Sequence, residues 1–474
     1  MLQWDSAAIM PPGGGEARAE QLAALKLVCH EMLTDEALAD LFAGAAQERD
    51  LDEWQRANLV EMRRLWVHAT AVPGELVEAF SKACSACEMV WREARPKGDF
   101  AAVLPALRRV LDLVRQVAAA KAAALAKTPY EALLDEYEPG GSTAAIDRLF
   151  GEVAAFLPGL IDAALERQRA RPAPLPLPGP FPIESQRRLG VKLMERLGFD
   201  FAHGRLDVSL HPFCGGTPDD VRLTTRYEEA DFNRALMGVL HETGHALYER
   251  GLPEAWRRQP VGDARGMSVH ESQSLLVEMQ ACRSREFAEF VAPLLREAFG
   301  GSGPAWEAQN LYRLNTRVER SLIRVDADEV TYPAHVILRY RLERAMIAGD
   351  LPLEDLPQAW RQGMRALVGI VPPDDRRGCL QDIHWYDGAW GYFPTYTLGA
   401  MTAAQLFDAA KRADPAILPG IAKGEFAPLL AWLRAKVHGK GSRFSTTEII
   451  EQATGRPLEA RVFRQHLETR YAGG

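Results

Sequence analysis

Apolar positions recur at helical intervals through most of the chain. From Glu16 to about Arg169 the sequence is rich in Ala, Leu, Glu and Arg, and a stretch such as LPALRRVLDLVRQVAAAKAAALAK (104–127) favours helix strongly. Gly and Pro interrupt the pattern at Pro73-Gly74, Pro96-Lys97-Gly98 and Pro139-Gly140-Gly141, which read as turns. Residues 171–182, RPAPLPLPGPFP, alternate proline with other residues and predict an extended connector. A helix is expected from Ile183 to Leu197. The period then shortens. LDVSLHPF (206–213) and VRLTTRY (221–227) alternate polar and apolar residues around a Gly-Gly-Thr-Pro-Asp-Asp loop, the pattern of a hairpin. FNRALMGVLHETGHALY returns to helical spacing, with Asp231 as N-cap and Gly251 and Pro253 closing the helix.

Further on, 263–267 reads as a loop, and helices are expected from His270 to about Phe290, from Trp306 to about Arg324, and over 323–349. Pro333 should kink or break the last of these. A helix over 355–371 follows, then a third short strand at 378–385, a turn opening into helix at 391–413, and a helical tail over 414–474. The expected fold is mostly α, with a small three-stranded antiparallel sheet beside the helix that starts at Phe232. One domain, 1–474, is expected: a helical layer (1–170), the Pro-rich connector (171–182), and a second region (183–474).

Composition narrows the function classes. The 474 residues are 47% hydrophobic and 25% charged, as in ordinary globular proteins. A net charge of −8 argues against a nucleic-acid partner. No apolar run approaches the ~18 residues of a membrane span. The first residues lack a basic segment followed by an apolar one, so a cytoplasmic location without membrane association is expected. The six cysteines are scattered and expected to be reduced thiols; Cys84 and Cys87, though spaced C-x-x-C, have no second pair and lie in a helical stretch. The basic residues near 436–443 read as a solvated face.

One helical turn carries chemistry. His241-Glu242-Thr243-Gly244-His245 is H-E-x-x-H, and residues i and i+4 share a helix face, so both imidazoles can bind one metal ion. Glu242 then stands where its carboxylate reaches water activated by that ion. Two histidines leave a catalytic zinc one protein ligand short. Glu271, 26 residues beyond His245 at the start of a new helix, is the best candidate for the third; Glu249 and Glu254 are too close to fold back easily, and Glu278, further along the same helix, faces differently. The three-histidine variant of the motif fails, because Tyr248 stands in its glycine position and Gly251 in its third histidine position. Glu242 would accept the proton of water and pass it to the leaving amine. His384, Tyr392 and Tyr396 are candidate donors to the oxyanion. Asp326 and Asp328 are candidates to orient the imidazoles. An edge of the hairpin offers the peptide backbone a strand to pair with.

Seven motifs follow one another along the chain: Trp4-Asp5 with Met10-Pro11-Pro12-Gly13-Gly14; His211-Pro212-Phe213; Asp220-Val221-Arg222-Leu223-Thr224; His241 to His245; His270-Glu271-Ser272-Gln273; Ile323-Arg324-Val325-Asp326-Ala327-Asp328; and Gly378 to Trp385. In this order they resemble the carboxypeptidase Taq (thermostable carboxypeptidase) family. The resemblance covers nearly the whole chain. It implies a large helical metallopeptidase with a deep substrate groove, usually a homodimer. It implies one divalent metal on His241, His245 and Glu271, usually Zn2+ with Co2+ as a substitute, and Glu242 as general acid/base. It implies release of single residues from peptide C-termini with broad specificity and poor tolerance of proline. Arg222 and Arg324 lie in its motifs, and arginine suits a terminal carboxylate through bidentate pairing; His211 is a further candidate for substrate binding. The family normally carries additional helix ahead of the Trp-Asp element, which here begins three residues after Met1.

Overall fold

The computed structural model describes residues 1–473. Helices α1 (Leu2–Ala8), α2 (Gly15–Leu33), α3 (Ala37–Ala45), α4 (Glu53–Thr70), α5 (Gly74–Ala94), α6 (Phe100–Leu125), α7 (Pro129–Leu134) and α8 (Thr143–Arg169) precede the Pro-rich segment. That segment has neither helix nor strand. It is held where Leu175 N donates to Asn310 Oδ1 at 2.7 Å and Phe181 N to Glu229 O at 2.8 Å. Then come α9 (Ile183–Leu197), strands β1 (Gly204–Val208), β2 (Cys214–Thr217) and β3 (Asp220–Thr225), and α10 (Phe232–Gly251). The remainder is α11 (Met267–Leu275), α12 (Arg285–Phe299), α13 (Ala308–Asn315), α14 (Tyr332–Ala348), α15 (Leu356–Leu367), α16 (His384–Asp387), α17 (Pro394–Ala413), α18 (Ile417–Ile421), α19 (Ala427–Lys436), α20 (Thr446–Thr454) and α21 (Ala460–Leu467). Two π-helical turns, Leu276–Ala281 and Glu468–Ala472, extend α11 and α21.

Two cores are packed on α17. Leu398, Met401 and Ala404 join the cluster built from α5, α6, α8, α14 and α15. Ala403, Leu406, Phe407 and Ala410 join the cluster built from α9 to α13 and α18 to α20. A helix that is apolar on opposite faces belongs in the interior, and α17 is the partition between the two halves. A third, smaller cluster seats the sheet: Val221 and Leu223 of β3 pack with Met194, Val239 and Ala246 of α9 and α10.

The structure corrects the expected sheet. The order is β1-β3-β2, and the sheet is mixed: β1 pairs with β3 in parallel, Gly204 opposite Val221, and β2 pairs with β3 antiparallel, Cys214 opposite Leu223. The residues expected to be a loop form β2, which turns back through Pro218-Asp219 onto β3. Glycine there reads as a turn signal, but Gly216 at φ +113° lets the backbone come so close to Asp220 O that a Cβ would lie 2.1 Å from it. The expected strand at 378–385 does not form. Its backbone turns, Gln381 N donating to Gly378 O at 3.2 Å, because the Gln381 and Asp382 side chains are tied inward to two arginines.

Two helix expectations also change. Pro333 sits in the first turn of α14, where a missing N–H costs nothing, so it starts the helix and does not kink one. The helix expected to reach Arg324 ends at Asn315, because the following amides find tertiary acceptors: Val318 N on Gln168 Oε1 at 2.9 Å and Glu319 N on Asp328 Oδ2 at 3.0 Å. The described helices include none long and apolar enough to cross a membrane. All six cysteines are free, and burial pushes the Cys84 and Cys87 thiols on α5 up to about 12, which makes them inert packing groups.

Candidate active site

The site begins with the cap of α10. Asp231 accepts from Asn233 N at 2.9 Å and Arg234 N at 3.3 Å, which fixes the helix entry two and a half turns before His241. His241 and His245 lie on one face, their rings 5.0 Å apart. Between them, Gly244 lets α11 approach: a Cβ there would stand 2.5 Å from Gln273 O. On the far side of α11, a Cβ on Gly399 of α17 would stand 2.9 Å from Glu271 Cβ. Two side-chain-free positions thus clamp α11 between α10 and α17, and the clamp delivers Glu271. Its Oε1 lies 4.0 Å from His241 Nε2 and its Oε2 lies 3.6 Å from His245 Nε2.

These three residues are the one group of possible metal ligands among the described residues, their donor atoms within 4.8 Å of one another. The donor set fits a divalent ion. Both Nε2 atoms face Glu271, while both Nδ1 atoms are engaged from behind. His241 Nδ1 meets Glu278 Oε2 at 3.0 Å, and Glu278 is held in turn by Arg283 at 2.6 Å. His245 Nδ1 meets His270 Nδ1 at 2.6 Å, and His270 Nε2 meets Glu249 Oε1 at 2.8 Å. With Nε2 of His245 left as an acceptor, its Nδ1–H donates to His270, whose Nε2–H donates to Glu249; a single tautomer assignment satisfies the line.

The electrostatics are those of a site short of positive charge. Burial pushes the Glu242 carboxyl up to about 7, the His241 charge opposing and Glu271 adding to the shift. Burial likewise raises Glu271. Burial alone would keep His241 neutral, but the Glu278 hydrogen bond and the charges of Glu271, Glu242 and Glu278 together raise it to about 10. His245 is lowered by burial and by the two neighbouring imidazoles.

A second group of side chains adjoins Glu271. Arg324 Nε donates to Asp382 Oδ1 at 2.9 Å, and Arg339 Nε donates to Asp382 Oδ2 at 2.6 Å. The Arg324 guanidinium lies 4.8 Å over the Tyr396 ring. His384 Nε2 is 3.2 Å from Tyr396 Oη, and its ring stacks on Phe393 at 4.5 Å. Burial, with Arg324 nearby, lowers His384 to about 4, so it is a neutral imidazole at pH 7. Tyr392 stands 5.1 Å from Tyr396 and 5.7 Å from His384, ring to ring. Tyr332, Tyr392 and Tyr396 are all raised by burial, with the charge of Glu271 among the contributing neighbours, and so remain phenol donors.

The fold therefore gathers His241, Glu242, His245, Glu271, Arg324, His384, Tyr392 and Tyr396 into one region. Two other sequence candidates lie elsewhere in their contacts. Arg222 on β3 is bidentate to Asp220, at 2.9 and 2.7 Å, and lies 4.3 Å over the buried Trp4 ring. His211 is exposed, and its carbonyl accepts from Ser209 Oγ at 2.6 Å. The residues expected to orient the imidazoles do not: Asp326 pairs with Arg234 at the surface, and Asp328 accepts from Val330 N, Thr331 N and Glu319 N. Glu278, Glu249 and His270 stand against the imidazoles instead. Glu278, expected to face away from Glu271, lies in the π turn that follows α11 and meets His241 Nδ1 from behind. His270 adjoins Glu271 in the H-E-S-Q motif. Tyr332 had no local signal, since only the fold sets it 6.2 Å from Tyr396.

A helical scaffold that presents an H-E-x-x-H turn and a carboxylate from the next helix is that of a metal-dependent peptide hydrolase. The family model for the carboxypeptidase Taq (M32) metallopeptidases matches residues 1–471, and the chain belongs to that family. It is 41% identical to thermostable carboxypeptidase 1 of Thermus thermophilus, over 100% of this chain and 94% of the relative. It is 34% identical to carboxypeptidase 1 of Bacillus subtilis, again over 100% of this chain and 94% of the relative. Among solved structures, Trypanosoma cruzi metallocarboxypeptidase 1 superposes with a TM-score of 0.97 at 43% identity, covering 99% of this chain and 95% of that one. The M32 carboxypeptidase of Deinococcus radiodurans superposes with a TM-score of 0.93 at 36% identity, covering 99% and 94%.

Proposed function

We propose that the protein removes single amino acids from the C-termini of peptides, with broad specificity and poor tolerance of proline, using a divalent metal held by His241, His245 and Glu271. The observation that carries this reading is the carboxylate-rich pocket around two free Nε2 atoms. Zn2+ suits two imidazoles and a carboxylate, and Co2+ is expected to substitute. The metal supplies a Lewis acid that acidifies water and polarises the scissile carbonyl. Glu242, with a carboxyl near 7, takes the proton of the attacking water at its carboxylate and delivers it to the leaving amine. Tyr392, Tyr396 and the neutral His384 donate hydrogen bonds toward the oxyanion. Arg324 is the cation nearest this group and the preferred partner of the substrate's terminal carboxylate, because it shares Asp382 with Arg339, whereas Arg222 is held bidentate by Asp220. The exposed edges of β1 and β2 offer backbone pairing to a peptide laid in a groove beside α10, with His211 at one end. A homodimer in the cytoplasm is the expected setting.

The test is mass spectrometry of a peptide ladder with native protein, with chelated protein, and after Zn2+ or Co2+ is restored. Stepwise loss of C-terminal residues, abolished by chelator and recovered with metal, is expected. Equal cleavage of a C-terminally amidated peptide and its free acid would sink the exopeptidase reading in favour of an endo-oligopeptidase.

A further inference from the structure

A polar cavity of about 390 Å³ lies in the C-terminal half, walled by α8, α12, α17 and the final π turn, and it includes none of the residues placed at the metal site. Its volume is that of a small-molecule pocket. In a chain of net charge −8, this cavity is lined by Arg167, Arg285, Lys411 and Arg470.

The charges there do not balance. Arg470 is matched by Glu329 at 3.0 Å. Asp408, the first acid on the wall, is shared by Arg412 at 3.1 Å and Arg456 at 3.5 Å. Among the described residues, neither Arg285 nor Lys411 forms an ion pair. Arg285 donates to Gln309 at 3.1 Å and lies 4.4 Å over the Tyr312 ring. The Lys411 ammonium sits 4.9 Å over Phe407. Burial lowers the Lys411 amine, with the Arg470 charge adding to the shift and the Asp408 and Glu286 charges opposing it. Arg167, against the backbone of Gly473, adds like charge to Arg285. Glu286 is the one acid on the wall with no ion pair among the described residues. The N-terminus of the 15-residue α12, capped by Ser284, opens on the same space and adds the positive end of its dipole.

Cations left over on aromatic faces, in a polar cavity that also presents Phe407, Leu418 and Val462, describe a receptor for an anion with a carbon body. We propose that this cavity binds a compact organic dianion, a phosphomonoester or a dicarboxylate, with Arg285 and Lys411 on its charges and Tyr312 and Phe407 against its body. Two charged hydrogen-bonding cations recognise two negative charges far better than one.

The test is isothermal titration of the full-length, metal-loaded protein with glycerol 3-phosphate, succinate and acetate at matched ionic strength. The titration is repeated after metal removal and in the double variant R285Q/K411Q. Saturable one-to-one binding of at least one dianion, with acetate inert and binding retained without metal, is expected. Which dianion binds separates the phosphate source from the dicarboxylate source. The double variant should hydrolyse peptide like the wild type, which shows it is folded, and bind the dianion about tenfold more weakly or worse. Equal response to acetate and the dianions, binding lost with the metal, or unchanged affinity in the double variant would each overturn the proposal.

Discussion

Two buried polar corners meet at Glu271, and they handle charge in opposite ways. Around His241 and His245, burial lifts the Glu242 and Glu271 carboxyls, since no arginine is bonded to either. Around Asp382, burial pushes in the same direction, but Arg324 and Arg339 outweigh it and hold that carboxyl well below the usual range. Residue type and burial are alike in the two places; the supply of cations differs. The Asp382 corner sets two guanidinia against one carboxylate and so keeps a surplus positive charge. The histidine corner sets the single His241 charge against Glu242, Glu271 and Glu278, and an added divalent ion would relieve that excess of carboxylates.

The largest expected break in this contrast is in activity. Glu242→Gln keeps the shape of the histidine corner and removes the proposed base, so kcat should fall by about 10³-fold, with metal content unchanged by elemental analysis; hydrolysis near the wild-type rate would refute the proton-transfer role. Asp382→Asn attacks the other corner. It leaves two buried guanidinia without their counter-charge, one of them on the fully buried Arg339, and should cost about 3–5 kcal/mol of stability. The loss should appear equally in metal-free protein on urea titration, and a melting curve unmoved by the substitution would show that Asp382 is no keystone. Glu278→Gln is milder. The carboxylate behind His241 would tune the proposed ligand without being one, so Zn2+ affinity measured by chelator competition should weaken about 10–100-fold. Unchanged affinity would assign the 3.0 Å contact to packing alone.

The smallest effect is on pH dependence. Asp382 has a folded pKa depressed below its unfolded value, so its contribution is fully present above about pH 4 and lost as pH falls through the folded value. Glu343 has the opposite sign. Burial raises its folded carboxyl to about 7, against hydrogen bonds from Trp385, Gly391 and Tyr130, so its contribution is present below about pH 4.5 and lost as pH rises through about 7. The melting-temperature gap between wild type and Asp382→Asn should therefore stay constant from neutral pH to about pH 4 and narrow below it; a gap that widens on acidification would reverse the assignment.

Local features of the chain carried much of this organisation. The i, i+4 histidines, the Asp231 cap and the end of α10 at Gly251 are local, because helix geometry is set by neighbours within a few residues. Glu271 was accessible as the acidic residue opening the next helix. The braces were harder. Glu278 and His270 stand near Glu271 in sequence, yet their contacts with α10 depend on how α11 crosses it, and Glu249 matters only because His270 reaches back to it. The parallel pairing of β1 with β3 was hidden for a similar reason: β2 is short and carries two glycines, so its pattern is that of a loop until β3 lies beside it.

The sequence by itself determined that this is a mostly helical protein with an H-E-x-x-H turn facing one way on a capped helix, because periodicity, caps and spacing are properties of contiguous residues. Only the tertiary structure decided which distant side chains surround that turn. Gly244 and Gly399 act by what they leave out, allowing three helices to approach until Glu271 stands within 4.0 Å of both imidazoles. Tertiary packing likewise separates Arg324, drawn beside Tyr396 and Glu271, from Arg222, drawn over Trp4. Both arginines lie in equally conspicuous motifs, and their different surroundings come from long-range packing that no local pattern records.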